Sequence, residues 1–300
     1  MAELHFTPLP DRALIAVRGE DRGSFLQGLV SNDVRRVEAG LAAWAAFLTP
    51  QGKFLHEFFM FGLGNGIWLD CERARRDDLI ERLSRYKLRA KVTLEANDDL
   101  TLGAAWGRHV NAAFGMGADL GQIKPLGAGV VYTDPRLADA GVRWALLNEN
   151  AHVVLGELGL TEAPLDDFDR RRIGLGLPDG SRDLEIEKAL LLENGFEELH
   201  GVDFKKGCYV GQELTARTHF RALIKKRLLP VTIEGPAPAP GTPLTADGRD
   251  AGDMRSVAGS EGLALIRLDV WRTGLELRAE SAVVTPHIPK WMVLPAAPAA

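Results

Sequence analysis

The chemistry-bearing residues of this chain concentrate in Val202–Leu229, VDFKKGCYVGQELTARTHFRALIKKRLL. Cys208 sits between Gly207 and Tyr209, directly after Lys205 and Lys206. A thiol attacks or binds metal as the thiolate, and neighbouring cations favour that form. Gly207 and Gly211 remove side-chain bulk on both sides, so a ligand or a partner backbone can approach closely. Gln212 and Glu213 follow with an amide and a carboxylate, and Arg217 belongs to the run of cations after them. A solitary cysteine is commonly a small buried hydrophobe. Here the polar, glycine-flanked surroundings point instead to an active thiol. Cys71, at the end of the apolar run Ile67–Cys71, has no such company and reads as structural.

The elements that must position this loop are legible from pattern. Ala13–Val17 reads as a strand and Gly19–Val30 as a helix with an acidic start, where the helix dipole favours negative charge. Ala42–Leu48 and Lys53–Phe61 read as strands joined by the turn Thr49-Pro50-Gln51-Gly52. The glycines of Gly62–Gly66 superficially suggest a nucleotide loop, but a strand, Ile67–Cys71, follows them rather than a helix, so they form a hairpin turn. Arg73–Leu88 reads as an amphipathic helix with its arginines on a solvated face. Lys91–Glu95, Leu100–Trp106, Val130–Tyr132 and Val142–Leu147 read as further strands, and 107–129 as a weakly patterned connector. A helix over Leu165–Ile173 ends in Arg170, Arg171 and Arg172, where cations suit the dipole. From Leu228 onward, short apolar runs spaced by glycines predict a small β-barrel. The order of elements predicts an α+β layered fold.

The totals bound the function classes. Three hundred residues with 46% hydrophobic and 26% charged content are ordinary for a globular protein of two domains or one composite one. A formal net charge of -5 supplies no global attraction to nucleic acid or anionic membrane. Two cysteines without pair spacing fit a reducing compartment. The N-terminal MAELHFTPLPDR lacks the apolar core of a signal peptide, and Leu41–Leu48 is too short to span a bilayer. The expected location is the cytoplasm, with no membrane partner.

Lys206-Gly207-Cys208-Tyr209-x-Gly211-Gln212-Glu213, continuing through Leu214-Thr215-Ala216-Arg217-Thr218, resembles the signature of the YgfZ family of folate-binding, iron–sulfur-cluster assembly proteins. That family is related to the T-protein (aminomethyltransferase) of the glycine-cleavage system. GEDRGSFLQGLVSNDV (19–34), the R-x-x-x-G-x-P pattern ending at Pro178, and Leu192-Glu193-Asn194 resemble it as well. The resemblance implies a T-protein-like α+β folate-binding region over 1–228, in one or two subdomains. It is followed by a C-terminal β-barrel over 229–294 and a disordered tail over 295–300. It further implies that Asn32 and Asp33 help form a site for tetrahydrofolate or another reduced folate. Glu193, beside Asn194, would face the pterin, where a carboxylate can accept two N–H bonds. Expected partners are iron–sulfur scaffold or carrier proteins and client 4Fe–4S enzymes, with effects on tRNA modification arising indirectly.

A cubane cluster generally takes a full set of cysteine thiolates, and this chain offers only two cysteines. Cys208 can therefore ligate a cluster only transiently, sharing it with a partner or a small thiol. The leading expectation is a folate-binding accessory factor for cluster assembly or repair rather than an enzyme. One alternative is a tetrahydrofolate-dependent aminomethyltransferase; T-proteins, however, carry no cysteine in the corresponding glycine turn, and no acid of the Glu57–Asp70 hairpin aligns with a catalytic one. A second is an RNA-binding protein using Arg217, His219, Arg221, Lys225, Lys226 and Arg227. Only Phe220 is interleaved among these cations, so no direct nucleic-acid contact is expected.

Overall fold

The computed structural model describes residues 3–221 and 224–296. Of the tail expected over 295–300, residues 297–300 lie outside the described residues, whereas the carbonyls of Pro295 and Ala296 accept bonds from Arg272. The fold is mixed α and β, in two compact units. The first comprises Met1–Leu48, Leu55–Phe168 and His200–Val210. The second comprises Thr49–Phe54, Asp169–Leu199 and Gly211–Ala300.

In the first unit the strands are β1 (His5–Pro8), β2 (Arg12–Arg18), β3 (Ala43–Leu48), β4 (Phe54–Leu63), β5 (Gly66–Glu72), β6 (Thr93–Asn97), β7 (Leu100–Trp106), β8 (Ile123–Leu126), β9 (Gly129–Thr133), β10 (Val142–Leu147) and β11 (Thr161–Glu162). They form a five-stranded sheet in the order β3-β4-β5-β2-β6 and a six-stranded sheet in the order β11-β1-β7-β10-β9-β8. Side chains alternate faces along a strand, and this alternation divides each sheet. One face of the five-stranded sheet carries Ile15, Val17, Phe58, Met60, Leu69 and Cys71. These pack with Phe25, Leu26, Leu79 and Leu83 from helices Arg22–Gln27 and Arg76–Ser84. The opposite face carries Arg12, Trp44, Glu57, Phe59 and Asp70, and meets Tyr132 and Arg143 of the six-stranded sheet. The outer face of that second sheet buries Val131, Val142 and Trp144 with Val110 and Leu155 of two short helices. The connector expected over 107–129 thus contains the helix Val110–Ala113 and strand β8, each too short to announce itself in the sequence.

The second unit is built on a closed antiparallel barrel of β12 (Lys226–Glu234), β13 (Pro243–Ala246), β14 (Arg249–Ala258), β15 (Glu261–Arg267), β16 (Leu277–Ala279) and β17 (Ala282–Pro286), in the order β12-β15-β14-β13-β16-β17. Small inward residues, Ala246, Ala251, Ala264, Ala279 and Ala282, leave room for Leu229, Leu244, Met254 and Ile266. Arg172 is not a dipole-serving surface cation. It is buried and donates to Asp169, to Asp183 at 2.8 Å, to the Leu177 carbonyl and to Ser256 of β14. Asp183 in turn accepts from the Ser256 hydroxyl and N–H.

Candidate functional site

The loop His200–Val210 is fastened to the turn that follows the first helix, Arg22–Gln27. Ser31 Oγ donates to the Gly201 carbonyl at 2.6 Å, and Asn32 Nδ2 to the carbonyls of His200 and Trp44, both at 2.7 Å. The Asp203 N–H reaches the Ser31 carbonyl, and the Val210 N–H reaches that of Gly28. Gln27 is the hub of the anchoring. Its amide nitrogen donates to Asp33 Oδ1 and to the Lys206 carbonyl, each at 3.0 Å, while its oxygen accepts the Val34 N–H.

Lys206 is not an exposed cation beside Cys208. Its side chain is buried, and Nζ donates to the carbonyls of Gln27 and Val30 at 2.6 Å. The ammonium also lies 4.9 Å from the centroid of the Tyr209 ring. Burial pulls its pKa down to about 8, against the nearby carboxylates of Asp33 and Asp203. Gly207 then takes a φ of +99°, with open space where a Cβ would stand. Glycine is therefore needed at this position for its backbone angle and not for clearance. Gly207 and Cys208 are exposed, and Tyr209 is buried again. The two cysteines differ sharply. Cys71 is 1% exposed within the core, and burial pushes its thiol up to about 12. Cys208 stands at the tip of a loop held on both sides.

The remaining motif residues belong to the second unit. Gly211, at φ +81°, caps the N-terminus of the helix Gln212–Phe220, which carries Gln212, Glu213 and Arg217; Glu213 and Arg217 are exposed. This helix was not foreseen, because its buried residues are Thr215 and Thr218 rather than an apolar stripe. Gly52 of the Thr49–Gly52 turn packs so tightly here that a Cβ would stand 2.7 Å from both the Gly211 carbonyl oxygen and Leu214 Cβ. Glu193 is half-buried and accepts backbone N–H bonds from Lys226 and Lys225; burial nonetheless raises its pKa. Asn194 donates to the Leu190 carbonyl, and its Oδ1 is buried without a partner. The basic run is not a continuous surface. Arg227 is fully buried and bound to Glu198 and the Leu192 carbonyl, and His219 pairs with Glu197 at 3.0 Å.

Sequence reasoning missed the polar cluster between the two sheets of the first unit. Arg12 donates to Glu57 at 2.5 Å and to Asp70 at 2.7 Å, and Arg143 donates to Asp70 at 2.9 Å. Trp44 Nε1 donates to the other Glu57 oxygen at 2.5 Å, and the Arg143 guanidinium lies 3.9 Å from the Phe59 centroid. Arg136, paired with Asp134, stacks over the Trp44 and Phe59 rings. Burial alone would raise the Asp70 carboxyl, but Arg12 and Arg143 outweigh it and hold the pKa below the usual carboxylate range. Both acids are already committed to arginines, so neither is placed as a general base. The detectable signal was a charge at alternate positions of otherwise apolar strands. Among the described residues no group of three or more His, Cys, Asp and Glu is arranged to hold a metal ion.

Residues 225–294 match the family model of the CAF17 C-terminal β-barrel domain. Across 94% of its length the chain is 36% identical to the mitochondrial iron–sulfur cluster assembly factor IBA57 of Mus musculus, covering 84% of that protein. It is 34% identical to the Homo sapiens counterpart, with the same coverage of both chains. Among solved structures, aminomethyltransferase T of the glycine cleavage system from Bartonella henselae matches with a TM-score of 0.78 at 15% identity. That match covers 97% of this chain and 86% of the other, and it is a likeness of fold. These relatives are mitochondrial by name, which overturns the cytoplasmic assignment. Unpaired cysteines report a reducing environment and do not distinguish one reducing compartment from another. On its identity to these relatives, and on the matching barrel domain, the chain belongs to the IBA57 family.

Proposed function

We propose that this protein is an accessory factor in iron–sulfur cluster assembly that presents Cys208 to a cluster held by a partner protein. The observation that carries the reading is the loop itself. A single exposed thiol projects from a segment whose flanking residues are bound to the first unit by at least seven hydrogen bonds. One thiolate cannot enclose a cubane cluster, so the cluster is cargo, shared with a scaffold or carrier on one side and a 4Fe–4S apo-enzyme on the other. The names of the relatives as cluster assembly factors support the same role.

The residues carried over for folate fit it only in part. Both ends of the Asn32 amide are engaged, since Nδ2 binds two carbonyls and Oδ1 accepts the Asp33 N–H. Asp33 is paired with Arg35 and Gln27, which hold its carboxyl below the usual range. Glu193 and the unpartnered Asn194 Oδ1 are the groups still able to meet a pterin. The transferase alternative lacks a free acid at Glu57 or Asp70, and the RNA-binding alternative loses Arg227 to the interior.

Cys208→Ser tests the role. A hydroxyl keeps the volume but is un-ionised near neutral pH and is a poor iron ligand. The variant should fold and melt like the wild type. It should transfer clusters from a loaded scaffold to a 4Fe–4S apo-enzyme at least about tenfold more slowly. Equal transfer by both proteins would remove the cysteine from the function, and calorimetry with tetrahydrofolate on the same samples reports independently on folate.

A further inference from the structure

We propose that Lys206 is the positioning residue of the cysteine loop, its ammonium locked on the Gln27 and Val30 carbonyls beneath Tyr209 so that Gly207 turns Cys208 outward at one fixed point. The proposal rests on the reading of Cys208 as the working thiol. An ammonium has three N–H donors, and three directions are accounted for here: the two carbonyls at 2.6 Å and the Tyr209 ring at 4.9 Å. Gln27 is the last residue of its helix, where carbonyls lack intrahelical partners, so the lysine completes the end of that helix from a segment far along the chain. The return bond from Gln27 Nε2 to the Lys206 carbonyl makes the link reciprocal, fixing both the side chain and the backbone of residue 206.

The opposite foot is equally defined. Tyr209 is buried, and the Val210 N–H is bound to Gly28, one residue past Gln27. Between these feet only Gly207 and Cys208 leave the surface of the unit. A loop pinned this closely limits the volume its sulfur can sweep, which is what sharing a cluster with a docked partner demands. A ligand held in the productive geometry before docking avoids the ordering cost at the moment of transfer. Lysine suits the task because its charge is compact and its stem reaches through the packed interior to the carbonyls.

A nitroxide attached to Cys208, with Cys71 inaccessible in the core, reports the loop directly by electron paramagnetic resonance. The wild type should give a restricted spectrum. Lys206→Met, which keeps the stem and removes the donors, should shorten the label's correlation time by about threefold or more, toward the motion of a free loop. Gln27→Met removes, of these anchors, only the return bond to the Lys206 carbonyl and should free the label by a smaller factor; Lys206→Leu, which also lacks the ammonium, decides the matter should Lys206→Met fail to fold. Unlabelled Lys206→Met should slow cluster transfer from a loaded scaffold to a 4Fe–4S apo-enzyme by about tenfold. Labels that stay restricted in the folded variants overturn the proposal. So does a freed label with undiminished transfer where Cys208→Ser abolishes it. Undiminished transfer by Cys208→Ser instead overturns the functional reading, and the spectra then still decide whether Lys206 holds the loop.

Discussion

Between the two sheets of the first unit, Arg12, Glu57, Asp70 and Arg143 use their charges on one another and are buried, both guanidiniums lying over the Phe59 ring. At the loop His200–Val210 the same kind of bonding stops at Lys206 and Tyr209 and leaves Gly207 and Cys208 outside it. The first arrangement holds two sheets in register. Its acids are paired with arginines. The second anchors both feet of the loop and leaves the thiol exposed. The sandwiched charges thus serve the scaffold, whereas the loop leaves one thiol exposed.

The sharpest test of that contrast uses the two thiols. With its pKa pushed to about 12, Cys71 is thiolate in roughly one molecule in ten thousand at pH 8, before its burial is counted. A soluble alkylating reagent should modify Cys208 at least about a thousandfold faster in the native protein, read by mass spectrometry of the two peptides. Comparable rates would erase the distinction between core and loop. Next in size is the charge cluster. Arg12→Ala leaves Glu57 and Asp70 buried without their shared partner and should cost about 3–5 kcal/mol in urea unfolding. The depressed Asp70 carboxyl also sets a pH window. Its contribution is fully present above the unfolded carboxylate value and is lost as pH falls through the lower folded one, so stability should drop below about pH 4. Asp70→Asn should flatten that limb, and an unchanged acid limb would show that the network does not govern it. The smallest effect expected is at Gly207, where Cβ meets open space and only the φ of +99° is strained. Gly207→Ala should lower stability by about 1–2 kcal/mol. Gly52→Ala, with both a positive φ and 2.7 Å contacts, should cost more. The reverse order would mean the loop is packed more tightly than its surroundings indicate.

Strands were the most legible part of the molecule, because alternation and apolar runs report burial directly. Leu100–Trp106 and Val142–Leu147 stand at their expected positions, and the hairpin at Gly64-Asn65 replaces any nucleotide loop. Helices without an apolar stripe were not legible: Gln212–Phe220 buries threonines, and Arg22–Gln27 is much shorter than the 19–30 pattern suggested. Buried cations were misread most consistently. Arg172, Arg227 and Lys206 stand in runs that look like solvated basic surface, yet each reaches carboxylates or carbonyls remote in sequence. Composition cannot reveal such partners, because they are chosen by the fold. The cysteine loop was found from its glycines and thiol, whereas the residues that hold it, Gln27, Ser31 and Asn32, carry no local mark of that task.

The chain passes between the two compact units after Leu48, Phe54, Phe168, Leu199 and Val210. That threading imposes an order on biosynthesis. The strands of the first unit have all been made by Glu162, yet the carbonyls that meet Ser31 and Asn32, those of Gly201 and His200, are translated only after Asp169–Leu199. At roughly 5–20 residues per second this is a delay on the order of seconds. During it both sheets of the first unit have their strands, while the end of the first helix still lacks the Lys206 ammonium. The segment bearing the thiol is the last to join the first unit, so a ribosome paused before codon 200 holds that unit without its closing loop, and assembly of the clamp coincides with arrival of Cys208.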